Sequence, residues 1–319
     1  MSLALVFPGQ GSQVVGMGKA IADAFPVARA LFAEVDEALH EKLTAIIWDG
    51  PADALMLTEN AQPALMAVSL AIMRVLQAEA GLEVQRDVAY VAGHSLGEYS
   101  ALAAAGSLAV GDTARLLRIR GRAMQRAVPV GTGAMAALMG LDVGEVVTIA
   151  GDAAQGQVCE VANDNGASQV VISGNKAAVE RAVEIARAKG AKRAVMLPVS
   201  APFHCALMRP AAETMAQALA AVTIRPPAVP LVCNVLARPI VETSEIARRL
   251  VDQVTGTVRW RESVAVMVDA GVTTFCEVGA GKVLSGLIKR VAAARGIAVG
   301  TPSDIDSVRA ELGRVDATA

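Results

Sequence analysis

Aromatic side chains are scarce in this sequence: two Trp, two Tyr and five Phe among 319 residues. That leaves little material for base-stacking platforms. An excess of positive charge is lacking as well, since 29 Lys and Arg face 31 Asp and Glu. With a formal net charge of −2, no nucleic-acid partner is expected. Cysteine is limited to Cys159, Cys205, Cys233 and Cys276, with no C-x-x-C pair among them. Neither a disulfide framework nor a structural zinc site fits, and a reducing cytoplasm is the expected location. No basic leader precedes the apolar run Leu3 to Phe7, which reads as a buried strand rather than a signal peptide. No apolar stretch approaches the roughly 20 residues that span a bilayer, so no membrane is expected.

What is present is apolar material, 54% of the chain, enough for a sizeable core. Leu3–Phe7 and Val88–Ala92 read as buried strands, each running into a Gly-containing loop, with helices between and after them. Among the helices, the one expected over Pro63–Ala80 has proline in its first turn. Such alternation predicts an α/β class with a mainly parallel sheet covered on both faces, of the α/β-hydrolase kind. The middle differs. Ala134–Met139, Gln157–Val161, Gln169–Ser173 and Lys192–Leu197 read as strands, with helices over Val143–Ala150 and Lys176–Lys189. That order, β-α-β-β-α-β, predicts a ferredoxin-like subdomain over 129–198, inserted into a catalytic unit made of 1–128 and 199–300. Helices are expected over Ala206–Val222 and Lys282–Ala294, and a weakly structured C-terminal tail over 301–319.

Gly93-His94-Ser95-Leu96-Gly97 lies between a strand and a helix, the context of a nucleophile elbow. Such a turn is too tight for side chains at its glycines and lifts the Ser95 hydroxyl out near a helix N-terminus. There the helix dipole and free N–H groups favour developing negative charge, and the Leu96 amide is the natural first oxyanion donor. The alternative is a plain Gly-rich turn.

A base is sought among only three histidines. His40 sits in a charged helical stretch. His94 adjoins Ser95, but successive side chains diverge in an extended segment. His204, in the loop Ser200 to Cys205, follows the serine in chain order as in α/β-hydrolases and is the candidate base. Asp252, Asp269 and Glu277 all lie downstream as carboxylates that would orient it, and no motif selects one.

The helix Asp112–Ala127 places Arg115, Arg118, Arg122 and Arg126 on one face, opposite Leu116, Leu117, Ala123, Met124 and Ala127. Arg120 falls within that apolar stripe, where a guanidinium needs an anion. An internal Asp or Glu would serve, and so would the carboxylate of a substrate lying beside Ser95. The first loop, Phe7 to Gln13, lacks the glycine spacing of a phosphate cradle. It fits a second oxyanion loop, with Gly9 and Gly11 letting the Gln10 amide approach, or equally a simple tight turn.

Taken together, FPGQGSQ (Phe7 to Gln13), NAQPAL (Asn60 to Leu65), GHSLGEYSAL (Gly93 to Leu102), Arg120-Gly121 with Met124, GTGAMAA (Gly131 to Ala137), PVSAPFHCALM (Pro198 to Met208) and EVGAGKVLSGL (Glu277 to Leu287) resemble the malonyl-CoA:acyl carrier protein transacylases of bacterial type II fatty acid synthesis. The resemblance runs from about residue 5 to about 290. It implies that Ser95 carries the malonyl group, that His204 is its base, and that the Gln10 and Leu96 amides form the oxyanion hole. It also implies that Arg120 clamps the malonyl carboxylate, with Met124 beside it, and that Phe203 favours malonyl over methylmalonyl. A main-chain carbonyl at Gln253 would orient His204 in place of a carboxylate. The stretch Val251 to Trp260 around it departs from the family's usual tyrosine- or asparagine-containing text. The implied fold is an α/β-hydrolase-like core with a ferredoxin-like insertion. The implied substrates are malonyl-CoA and a phosphopantetheinylated acyl carrier protein, with no cofactor and no metal. A monomer is expected. Lys189, Lys192 and Arg193 are candidates for steering an acidic carrier. Two neighbouring activities share the nucleophile: an acyltransferase serving a polyketide synthase, and a thioesterase selective for dicarboxylates.

Overall fold

The computed structural model describes residues 2–312. In chain order the elements that shape the site are β1 (Leu3–Phe7), α1 (Thr58–Glu79), β2 (Val88–Gly93), α2 (Gly97–Ala104), α3 (Val110–Arg126), β3 (Gly133–Met139), α4 (Val143–Ala154), β4 (Cys159–Asp164), β5 (Gln169–Asn175), α5 (Lys176–Ala188) and β6 (Arg193–Met196). They continue with α6 (Arg209–Ala220), β7 (Leu231–Cys233), β8 (Arg238–Ile240), α7 (Thr243–Thr255), β9 (Thr274–Val278), α8 (Val283–Val291), β10 (Arg295–Val299) and α9 (Ile305–Glu311).

The larger sheet has the order β10-β9-β1-β2-β7-β8, parallel except for the β7–β8 edge pair. All five residues of β1 are buried, as a strand covered by helices on both faces requires. The smaller sheet, β6-β3-β5-β4, is antiparallel throughout. With α4 and α5 on one face it has the ferredoxin-like arrangement expected from the sequence. Its residues form a core of their own, from Ala136 and Leu138 to Val183 and Ala194.

Several elements depart from the sequence reading. α1 begins at Thr58, so Pro63 lies inside it rather than in its first turn. Proline has no N–H to give to the carbonyl four residues back. That carbonyl, Glu59 O, instead accepts from Arg118 Nη1 at 2.7 Å. Arg118 is therefore buried at 4% exposure, not on the solvent face with Arg115 and Arg122, and it also pairs with Glu41. Among the described residues α1 is the one helix long and apolar enough to cross a membrane, and 83% of its most apolar window is buried in the core. The helix expected over Ala206–Val222 opens with a 3-10 turn, Ala206–Met208, before α6. The one expected over Lys282–Ala294 stops at Val291, and Arg295–Val299 becomes an edge strand.

The C-terminal tail is folded as far as it is described. Thr301 and Asp304 form a capping box, and α9 buries Ile305 and Val308 in the main core. Glu311 pairs with Arg295. The rest of the expected tail, 313–319, lies outside the described residues.

Candidate active site

Ser95 stands at the turn from β2 into α2 with φ of +54°, a left-handed conformation that a non-glycine residue adopts only under constraint. The glycines around it make the turn possible. A Cβ on Gly93 would lie 1.9 Å from Gly97 C, and one on Gly97 would lie 2.2 Å from Phe7 O. Asn234, just past β7, clamps the turn: its Oδ1 accepts from Ser95 N–H at 2.8 Å while its Nδ2 donates to Gly93 O at 2.7 Å.

The first loop closes against the same turn, where a Cβ on Gly9 would come within 2.7 Å of His94 O. Gly11, at φ +106°, turns its N–H to Gln13 Oε1 at 2.7 Å. Among the described residues the amides of Gln10 and Leu96 have no acceptor. Two unspent N–H groups at the end of a parallel sheet, one at a helix start, make an anion site beside Ser95. The Gln10 side chain is tied back to Thr58 Oγ1 at 3.3 Å.

His204 Nε2 is 2.8 Å from Ser95 Oγ, and its Nδ1 is 2.8 Å from Gln253 O. A carbonyl can only accept, so Nδ1 carries the proton and Nε2 turns its lone pair to the serine. Among the described residues no carboxylate completes the set. Asp252 pairs with Arg249, Asp269 is exposed, and Glu277 accepts from the Leu284 and Ser285 amides at the start of α8. His40 is exposed, and His94 is held by Asn165 with Nε2 to Oδ1 at 2.9 Å. Burial, then the Arg120 charge, lower the His204 imidazole to about 3, so it rests neutral.

Arg120 is 1% exposed and finds no carboxylate within ion-pair distance among the described residues. Nη1 donates to Gln62 Oε1 at 2.7 Å, and Nη2 donates to Gln253 Oε1 at 2.8 Å and Ser95 Oγ at 3.1 Å. Neutral amide oxygens hold the guanidinium in place and leave its charge unmatched at the floor of a cavity of about 410 Å³. Met124, Met135, Leu197 and Phe203 give that cavity an apolar wall, with Gln10 at its edge. Of the two partners weighed for Arg120, no internal acid forms an ion pair with it among the described residues; buried Glu98 acts on it from the far side of the Gln253 amide.

Three residues here escape sequence reading. Gln62 lies inside the NAQPAL stretch but received no role there, and Asn234 carries no signal beyond being polar. Glu98, in the first turn of α2, reads as an ordinary acid at a helix N-terminus. It is fully buried, and burial raises its carboxyl to about 7.

Residues 4–301 match the family model described as acyl transferase domain. The malonyl CoA-acyl carrier protein transacylase of Bacillus subtilis (strain 168) is 45% identical over 306 residues, which cover 95% of each chain. The crystal structure of the acyl-carrier-protein-S-malonyltransferase from Bartonella henselae superposes with a TM-score of 0.96 at 55% identity, covering 98% of this chain and all of that one. A malonyl-transacylase solved in complex with its type II PKS acyl-carrier protein superposes at 0.94 with 42% identity, covering 98% of this chain and all of that one.

Proposed function

This chain belongs to the malonyl-CoA:acyl carrier protein transacylases of the acyl transferase family, and we propose that it moves malonyl through an ester on Ser95 with the residues gathered around its cavity. The observation that carries the assignment of roles is one contact: the unmatched guanidinium of Arg120 sits 3.1 Å from the nucleophilic oxygen. An acyl group on Ser95 then reaches that charge only if its own acid is close to its carbonyl, as in malonyl. Neutral acyl groups leave the charge buried and unpaired, which is costly.

Ser95 Oγ attacks the thioester carbonyl while His204 Nε2 takes its proton. The oxyanion falls between the Gln10 and Leu96 amides. Collapse breaks the C–S bond, and His204 Nε2–H protonates the departing CoA sulfur. The phosphopantetheine thiol of the carrier protein then loses its proton to His204 and attacks the malonyl ester; the C–O bond breaks, and His204 Nε2–H returns the proton to Ser95 Oγ. One thioester is broken and one is formed, so the sequence of steps calls for no cofactor. Gln253 O stabilises the imidazolium in the place a carboxylate takes in a hydrolase triad. Phe203 and Met124 narrow the cavity against branched acyl groups.

Every group in this scheme comes from one chain, which supports a monomer as the working unit. The four cysteines are free and buried, in keeping with a cytoplasmic location. We assign 129–198 as the inserted subdomain, supported by its separate core, and 1–128 with 199–300 as the catalytic unit. The carrier approaches along β6, where Lys192 and Arg193 are exposed and unpaired among the described residues and lead toward Leu197 and Val199 in the cavity wall. Lys189 is engaged with Asp152 at 3.8 Å.

Transfer is separated from hydrolysis by isolating the malonyl-enzyme and adding either buffer or phosphopantetheinylated carrier. Fast discharge to the carrier and slow loss to water support the transferase; equal rates would make it a thioesterase.

A further inference from the structure

We propose that Glu98 is a positioning residue for the carboxylate clamp: it accepts from the Gln253 side chain and so fixes which end of that amide meets Arg120. The inference rests on the malonyl-transfer reading of the site.

Gln253 touches Ser95, His204 and Arg120 alike. Its main-chain oxygen holds His204 Nδ1, its Oε1 accepts from Arg120 Nη2, and its Nε2 donates to Ser95 O at 2.9 Å. An amide of this kind can sit in either of two orientations, decided by its neighbours. Flipped, Gln253 would set its NH2 against the guanidinium, donor against donor. Glu98 Oε2, 2.5 Å from Nε2, opposes that flip together with Ser95 O, Glu98 being the shorter contact, and the longer one of Nε2 to Asn234 Oδ1 at 3.4 Å adds little.

Glu98 itself is 0% exposed and forms no ion pair among the described residues. Its other oxygen accepts from Asn234 N–H at 3.4 Å, next to the Asn234 side chain that clamps the elbow. A carboxyl buried without a cation is expensive to keep. Its geometry accounts for its presence: it faces one of the two amides that hold the Arg120 guanidinium, the one on the Nη2 that also meets Ser95 Oγ. Ser95 and His204 do not touch it, and Gln253 is the group that joins it to Arg120 by hydrogen bonds, so beyond the attraction of the two buried charges the proposed effect on the clamp passes through Gln253.

The test compares kcat/KM for acylation by malonyl-CoA and by acetyl-CoA in wild type, Glu98→Met, Glu98→Gln, Gln253→Leu and the Glu98→Met/Gln253→Leu double variant. Each is first shown to be folded by circular dichroism, and Glu98→Ser replaces Glu98→Met if the latter does not fold. Glu98→Met should lower the malonyl-to-acetyl ratio roughly tenfold, while Glu98→Gln, which keeps an acceptor oxygen, should hold it within about threefold. Because the effect passes through Gln253, the double variant should lose no more than Gln253→Leu alone. A structural role would depress both substrates alike. Wild type that fails to load malonyl refutes the reading of the site. Wild type that loads malonyl, with Glu98 variants at the wild-type ratio or with additive losses in the double variant, overturns this inference alone.

Discussion

Arg120 shows how much one side chain decides at this site. Removing it should cost the malonyl group its charge-assisted hydrogen bonds, about 1.5–3 kcal/mol, or roughly 10- to 100-fold in kcat/KM. Acetyl-CoA should lose far less, so acylation rates of Arg120→Ala with both thioesters check the clamp; an unchanged preference would refute it. His204 makes a second prediction. Its folded value of about 3 lies below the ordinary 6.5. Between those values the unfolded chain binds a proton that the fold refuses. The contribution of His204 to stability is therefore complete above 6.5 and is lost as pH falls toward 3. For catalysis, the base is already neutral across that window. A profile of kcat/KM for malonyl-CoA from about pH 5 to 8 should show no acid limb centred near 6.5 in Glu98→Gln, which removes the one other buried group placed near that range among the described residues; a limb there would mean that the imidazole is far better solvated. At this scale Ser95 was legible from its turn motif, His204 from the scarcity of histidine, and Arg120 from helical geometry. Gln253 was reachable only through family resemblance, because a main-chain carbonyl has no sequence signature. Glu98 and Gln62 fell inside family motifs and Asn234 in none, but the role of none of the three was legible: being buried and polar is a property of packing, and no periodicity announces it.

The elbow is an element whose glycines are dictated by contact rather than by flexibility. Gly97→Ala would drive a methyl into Phe7 O, so β1 and α2 must separate. A loss of about 3 kcal/mol or more is expected, at the upper end for overpacking, read as a fall in the denaturant midpoint with little change in slope. Near wild-type stability would mean that β1 and α2 pack less closely than described. Strands β1 and β2 were clear from sequence as apolar runs ending in glycine. Strands β7 and β8, three residues each, are too short to show alternation. The start of α1 was obscured by Pro63, whose missing hydrogen bond is supplied by Arg118 from a neighbouring helix. Since that repair is tertiary, local rules could not foresee it. The same contact explains why Arg118, placed by helical geometry on a solvent face, is buried.

For the whole molecule, the two sheets meet at the cavity, and the carrier route proposed above runs along the smaller one. Charge reversal at Lys192 and Arg193 should lower kcat/KM for the carrier and weaken its salt dependence, while malonyl-CoA loading of Ser95 changes little. Equal losses for both substrates would place the docking surface elsewhere. The two-part α/β architecture was readable because its strand and helix order alternates differently in the two parts. How the parts close over Ser95 depends on contacts between residues far apart in the chain, such as His94 with Asn165, 71 positions apart. The most direct check of the central claim is the intact mass of the protein after exposure to malonyl-CoA. Wild type should gain one malonyl group and lose it on addition of phosphopantetheinylated carrier, and Ser95→Ala should gain none. A malonyl adduct retained by Ser95→Ala would contradict the account.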